Sequence, residues 1–404
     1  MKDLRVAVFE KRNPYAAYTM GLEFADSIKR SGAVFVLKVS FIDFIKKYGL
    51  NLGLEKIKKE LYSFKINTLI FSLDNCFDLP PEFFYHLRPK IFCCLYLGDD
   101  EHYFDRSARY YAQCFDLVLP SNPMSVYRYK YYGVESFFLP SCFNLEDFKS
   151  IQKVNCEDVV FIGSISGKIK REEYINFLEK SRIDFGSYGA SSAKGIVNRK
   201  KMYSLFNSAK ISLNFTGVFK RTPIDFDISI NRRIRGVKGR CQEIALCGGF
   251  VLTEYVPGIE NMFEIGKEID VFDSEDELKE KINFYLNNPL IRNQMTKLAH
   301  IKAKKLYSDE KVWKDVGKFI HKRKKNHNEK KPIYFDAIFK KSYSSFQLSR
   351  LIGLILSFKF RLFIKDLKVL NSLIFPNKRL LIHYLKIELY IPLVRYIKNI
   401  KLKK

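Results

Sequence analysis

The stretch VKGRCQEIALCGGFVLTEYVPGIENMFEIGKE, residues 237–268, sets a basic pair and a glutamate beside two glycines. Lys238 and Arg240 lead into a helix-like segment, CQEIAL, which carries Glu243. Gly248 and Gly249 follow, and then the apolar run GFVLTEY (249–255). Helix, glycine turn and continuous apolar strand in that order are one step of a parallel, doubly wound sheet.

The same step recurs on both sides. Toward the C-terminus, IDVFDS (269–274) is another strand, followed by the helix SEDELKEKINFYLNNP (274–289). Ser274 is placed to cap that helix, acidic residues fill its first turn and Pro289 lies just past its end. Toward the N-terminus, DVVFIGS (158–164), DFGSYG (184–189) and KISLNFTG (210–217) complete a set of strands. An earlier set reads RVAVFE (5–10), VFVLKVS (34–40), TLIFSL (68–73), IFCCLYLG (91–98), FDLVLPS (115–121) and SFFLPSCF (136–143). Between the first two lies MGLEFADSIKRSG (20–32), where Leu22, Phe24, Ala25 and Ile28 share a helical face and Gly32 ends the helix. The expected fold class is α/β with two Rossmann-like domains, residues 1–150 and 151–320, followed by a basic helical extension, 321–404.

Composition narrows the partners. The 404 residues are 47% hydrophobic, enough for two sizeable cores, and carry a formal charge of +26. That charge points to an anionic partner: nucleic acid, anionic lipid or a phosphorylated substrate. Residues 331–404 hold 16 Lys/Arg against 3 Asp/Glu, so half of the excess sits in the last fifth of the chain. The charge run HKRKKNHNEKK (321–331) opens this tail, which alternates aromatic and aliphatic residues with cations. It reads either as a helical cover or as an interfacial anchor on an anionic membrane surface. Its longest apolar run, LIGLILSF (351–358), is far short of the roughly 20 residues a membrane span needs. Eight scattered cysteines without a CxxC pair read as reduced thiols, and MKDLRVAVFE lacks the apolar run of a signal peptide. A cytoplasmic protein is expected, peripheral on the inner membrane face if the tail anchors it.

Ligands of open parallel sheets bind beyond the carboxyl ends of the strands. Three segments there carry chemistry. In FIGSISGKIKR (161–171), Gly163 and Ser164 let backbone amides approach a phosphate, and Lys168, Lys170 and Arg171 supply cations; an ordinary βα turn before a basic helix reads the same way. In the opening stretch, Glu243 can accept from a ribose diol and Arg240 can reach a diphosphate, or the two form an exposed helix pair. In LGDDEHYFD (97–105), Asp99, Asp100, Glu101 and His102 stand at a strand end, as an acceptor-orienting group or as a helix-capping cluster.

The segment from Lys238 to Ala299 resembles the C-terminal half of CgeB-type glycosyltransferases, a branch of the two-Rossmann GT-B class. The resemblance rests on the basic-Gly-Arg segment, the helix glutamate with the CGG turn, the strand after it, and the acidic helix ending in YLNNP. YLGDDEHYFD, FDLVLPSNPMSVYRYKYYGV and FIGS match more loosely, and 331–404 is not covered. The resemblance implies two domains facing across a cleft and a nucleotide-diphosphate sugar as donor substrate, without a separate cofactor. It implies Glu243 as the ribose ligand, Gly248 and Gly249 as the close-approach turn, and Arg240, Lys238 and Lys168 beside the diphosphate. Arg240 would then assist departure of the diphosphate, with Asp99, Asp100 and His102 on the acceptor side. Many relatives carry a second glutamate eight positions before the ribose one; here that place is Arg235. The pair Asp225 and Asp227 resembles a metal motif of another glycosyltransferase architecture, but a cleft loop and no essential metal are expected. The acceptor would be a hydroxyl of a surface glycan, a lipid-linked glycan or a protein. Two other readings compete. Arg235 suits an inactive sugar-nucleotide-binding relative. The basic tail suits nucleic acid, although no recognised binding motif precedes it.

Overall fold

The computed structural model describes residues 1–9, 20–73, 77–98, 100–102, 104–168, 170–217, 235–237, 239–324, 333–366 and 378–385. The chain divides into two units: 1–119 with 129–137 and 317–404, and 120–128 with 138–316.

The first unit is built on strands β1 (Arg5–Phe9), β2 (Phe35–Val39), β3 (Thr68–Ser72), β4 (Phe92–Leu97) and β5 (Leu117–Pro120), in the order β2-β1-β3-β4-β5. β1 pairs in parallel with β2 and β3, and β3 with β4. Helix Met20–Arg30 buries Phe24, Ala25 and Ile28 as its spacing predicts, and Gly32 ends it at φ +89°. The segment 136–143 departs from expectation. It runs beside β5, and Phe137 N–H and Leu139 N–H donate to the carbonyls of Val118 and Pro120, both at 2.9 Å. It goes no further as a regular strand, because the next ladder bond would need an N–H from residue 120 to the Phe137 carbonyl, and Pro120 has none.

The tail contributes to this unit. Helix Ala337–Leu356 buries Phe339, Phe346 and Leu351. The Phe77 ring lies 5.6 Å from Phe339 and 6.0 Å from Phe346, and Gln347 Nε2 donates to the Phe77 carbonyl at 3.0 Å. Asp336 caps the helix by accepting from Phe339 N–H at 2.9 Å, and it also accepts from the Tyr110 hydroxyl. Each fully buried Phe is worth about 1.5–3 kcal/mol, so this part of the tail is held as a cover.

The second unit repeats the pattern with β6 (Val159–Ile162), β7 (Phe185–Tyr188), β8 (Ile211–Asn214), β9 (Val251–Glu254) and β10 (Asp270–Phe272), in the order β10-β9-β8-β6-β7. All four strand pairings are parallel. Counted from its own first strand, this is the same order as the first sheet. Alternate residues feed opposite faces. Val160 and Ile162 join one core with Phe206 and Ile244, while Val159 and Phe161 join another with Leu213 and Leu252. Burial on both faces is why these strands read as unbroken apolar runs. Ser274 caps helix Glu275–Asn287 by accepting from Glu277 N–H at 3.2 Å, and Pro289 opens the next helix, Pro289–Leu306. Among the described residues the cysteines are free, and burial pushes the Cys241 thiol up to about 11.

Candidate functional site

In sheets of this order the ligand crevice lies where successive crossovers leave in opposite directions. In the second unit that place is between β6 and β8. Gly163 and Ser164 follow β6, Phe215 to Gly217 follow β8, and Glu254 ends the neighbouring β9.

Arg171 spans the two strand ends. It donates to the Ser164 carbonyl at 2.6 Å and to the Phe215 carbonyl at 2.9 Å, and its guanidinium lies 5.3 Å from the centre of the Phe161 ring. Burial lowers its pKa to about 10, against the pull of Glu254, so it stays charged at neutral pH. Its position on the chain suggests a phosphate cation; its hydrogen bonds make it a brace between β6 and β8.

Glu254 is 0% exposed. Its Oε2 accepts from Thr216 N–H at 2.8 Å, the Thr216 hydroxyl at 3.0 Å and Gly217 N–H at 3.0 Å. Arg235 Nε stands 3.0 Å from the other oxygen, an ion pair without hydrogen-bond alignment. Sequence reasoning missed this carboxylate. The signal was there: a strand of otherwise apolar character, FVLTE, ends in an acid that needs a buried partner. Arg235, which the resemblance marks as a departure, is that partner.

The glycine loop after β6 carries its own anion. Gly167 N–H donates to Glu172 Oε1 at 2.9 Å, and Glu172 and Glu173 occupy the first turn of helix Arg171–Lys180. A phosphate binding here displaces Glu172 from that amide. Gly163 is fixed by packing, since a Cβ would meet the Phe161 ring at 2.9 Å. Ser164 is exposed, and Lys168 is half-buried.

Helix Arg240–Leu246 brings Arg240 and Glu243 together as an ion pair one turn apart. Glu243 is buried, and Arg240 also lies 5.4 Å from the centre of the Phe206 ring. The helix ends in a Schellman cap: Gly248 N–H donates to Ala245 O and Gly249 N–H to Ile244 O, both at 3.0 Å. Gly248 has φ +75°, and a Cβ on Gly249 would meet the Phe206 carbonyl oxygen at 2.4 Å. The CGG signature therefore has a folding reason. It stands at the amino end of β9, while Glu254 ends the strand, five residues on from Gly249 and about 17 Å away at the usual rise.

On the first unit, Asp100 opens the short helix that follows β4. Asp100 is buried and accepts from the Tyr129 hydroxyl at 2.9 Å, a structural bond inside the unit. His102 follows on the short helix Asp100–His102 after β4. Asp99, Lys238, Asp225 and Asp227 lie outside the described residues.

Residues 164–315 match a protein family described as glycosyl transferase-like. No curated protein matches the chain. Among solved structures, the chain resembles sucrose-phosphate synthase from Thermosynechococcus elongatus, with a TM-score of 0.59 and 10% identity over 80% of this chain and 100% of that one. It resembles a glycosyltransferase from Rickettsia africae, with a TM-score of 0.57 and 8% identity over 81% of this chain and 100% of that one. It also resembles Anabaena HepE in complex with UDP, with a TM-score of 0.55 and 9% identity over 79% of this chain and 100% of that one. At these identities the likeness establishes the fold: the α/β, two-sheet GT-B fold of glycosyltransferases.

Proposed function

We propose that the protein is a CgeB-type glycosyltransferase that moves a sugar from a nucleotide-diphosphate donor to an acceptor hydroxyl. The observation that carries this reading is the family match over 164–315, which contains Lys168, Arg240 and Glu243. The Anabaena HepE protein, solved with UDP and with UDP-glucose, supports a donor of that class. In this reading the acceptor is a surface glycan, a lipid-linked glycan or a protein, and the free thiols, most of them buried, suit the reducing cytoplasm.

The chemistry follows from the charges. The bond from the anomeric carbon to the diphosphate oxygen breaks, the acceptor oxygen bonds to that carbon, and the acceptor proton leaves to a base. Negative charge grows on the departing diphosphate, where a cation stabilises the transition state more than the ground state. Arg240 and Lys168 take that role. Glu243 accepts from the ribose diol, and its ion pair with Arg240 keeps the carboxylate oriented before the donor arrives. Asp99 and His102 are the groups assigned to orient and deprotonate the acceptor.

A second reading, a donor-binding relative without turnover, is favoured by Arg235. It stands where many relatives carry an acid, and it is tied to Glu254. Calorimetry with UDP- and GDP-sugars, followed by an assay for released nucleotide, decides between them. Binding with release supports the transferase; binding without release supports the second reading. No binding by folded protein defeats both.

A further inference from the structure

The C-terminal tail changes character within a single helix. Phe339, Phe346 and Leu351 are buried against the first unit, although Ile338 at the helix start is exposed; from Ile355 to Arg361 every residue is exposed. The turn between helices Ala337–Leu356 and Phe360–Asp366 carries Leu356 at 61% exposure, Phe358 at 82% and Ile364, on the second helix, at 65%. Lys359, Arg361 and Lys365 are interleaved with them, and all three are exposed.

This turn is fixed in place. Lys359 N–H donates to Leu354 O at 2.8 Å and Ser357 N–H to Gly353 O at 3.0 Å. Asp366, buried at the end of the second helix, accepts from Leu50 N–H at 2.7 Å and pairs with Arg350 at 2.8 Å. Phe358 is held at φ +55°, a conformation costly for a residue with a Cβ, and gains no burial in return. The left-handed backbone belongs to the cap of helix Ala337–Leu356, and it sets the Phe358 ring edge-on to Phe360, 6.2 Å away, on the exposed side of the turn.

We infer that the turn Ile355–Arg361, with Ile364 and Lys365, is a docking tip that inserts its apolar side chains into the interface of an anionic bilayer. The alternation suits that surface, with Leu356, Phe358, Phe360 and Ile364 at the acyl boundary and the cations at the headgroups. Charge argues against a second copy as the occupant. Each tail brings 16 cations and 3 acids, a net of 16 − 3 = +13. Of those acids, Asp366 pairs with Arg350, and Asp336 with Arg109 and Tyr110. Among the described residues no helix is long and apolar enough to cross a membrane. The inference stands independently of the donor-site reading.

The test is co-sedimentation of the full chain with phosphatidylcholine vesicles, with and without phosphatidylglycerol. Two variants are compared with the parent: Phe358→Asn, which tolerates the left-handed backbone, and Lys359→Glu/Arg361→Glu. Both change exposed side chains, and an unaltered melting temperature confirms their fold. The parent is expected to sediment with anionic vesicles only. Phe358→Asn should weaken this about tenfold, and the charge reversal by at least about tenfold. Unchanged sedimentation of both folded variants, equal binding to neutral vesicles, or a concentration-dependent dimer abolished by Phe358→Asn would overturn the inference.

Discussion

Replacing Glu254 by Ala should be the most damaging single change at the carboxyl ends of the second sheet. The side chain is fully buried and satisfies two backbone amides and a hydroxyl with one oxygen. Its loss removes the acceptor from those donors and the carboxylate from the Arg235 ion pair, whose arginine side chain is only 12% exposed. Removing one member of a buried ion pair typically costs about 3–5 kcal/mol. In a unit of this size each kcal/mol moves the melting temperature by about 2–4 °C, so a drop of about 6–20 °C is expected. Differential scanning calorimetry reads the shift directly. Glu254→Gln/Arg235→Met should recover most of it, because the amide oxygen still accepts from Thr216 and Gly217 and both members of the ion pair are removed together. Glu254→Ala melting within about 2 °C of the parent would refute the assignment of this carboxylate as the tie between β8 and β9.

Arg240→Ala should lower kcat by about tenfold or more while changing donor affinity less, because charge on the leaving diphosphate peaks in the transition state. A loss confined to donor affinity would contradict that role. EDTA should leave the rate nearly unchanged; abolition restored by Mn²⁺ would transfer the diphosphate to a metal held by Asp225 and Asp227. Gly248→Ala, forced to φ +75°, should cost about 1–2 kcal/mol in denaturant unfolding yet spare nucleotide affinity, as a helix cap requires. An affinity loss at unchanged stability would return the glycine pair to the ligand.

Much of this architecture was legible because its physics is local. Mostly apolar runs marked the strands, most plainly β4, whose six residues are all buried, and Ser274 and Gly32 marked helix ends through their own hydrogen bonds and backbone angles. The exception, 136–143, had the right residue types, but its neighbour Pro120 lacks the N–H that would continue the ladder. Long-range pairings were not legible. Nothing near Arg171 in the chain shows that it reaches carbonyls after two different strands. Nothing beside Glu254 names Arg235, nineteen positions earlier, as its partner. The tail was ambiguous because it does two things: Phe339 and Phe346 cover the first unit, while Phe358 faces solvent.

The central claim is that the second unit holds a nucleotide-diphosphate sugar through Glu243. Titration calorimetry with UDP and GDP, on the parent and on Glu243→Ala, tests it most directly. The parent is expected to bind at least one of the two. Losing the charge-assisted bond to the ribose should weaken that binding by about 1.5–3 kcal/mol, roughly ten- to a hundredfold. Equal affinity in a folded Glu243→Ala protein, or no binding of either nucleotide to the parent, would contradict it.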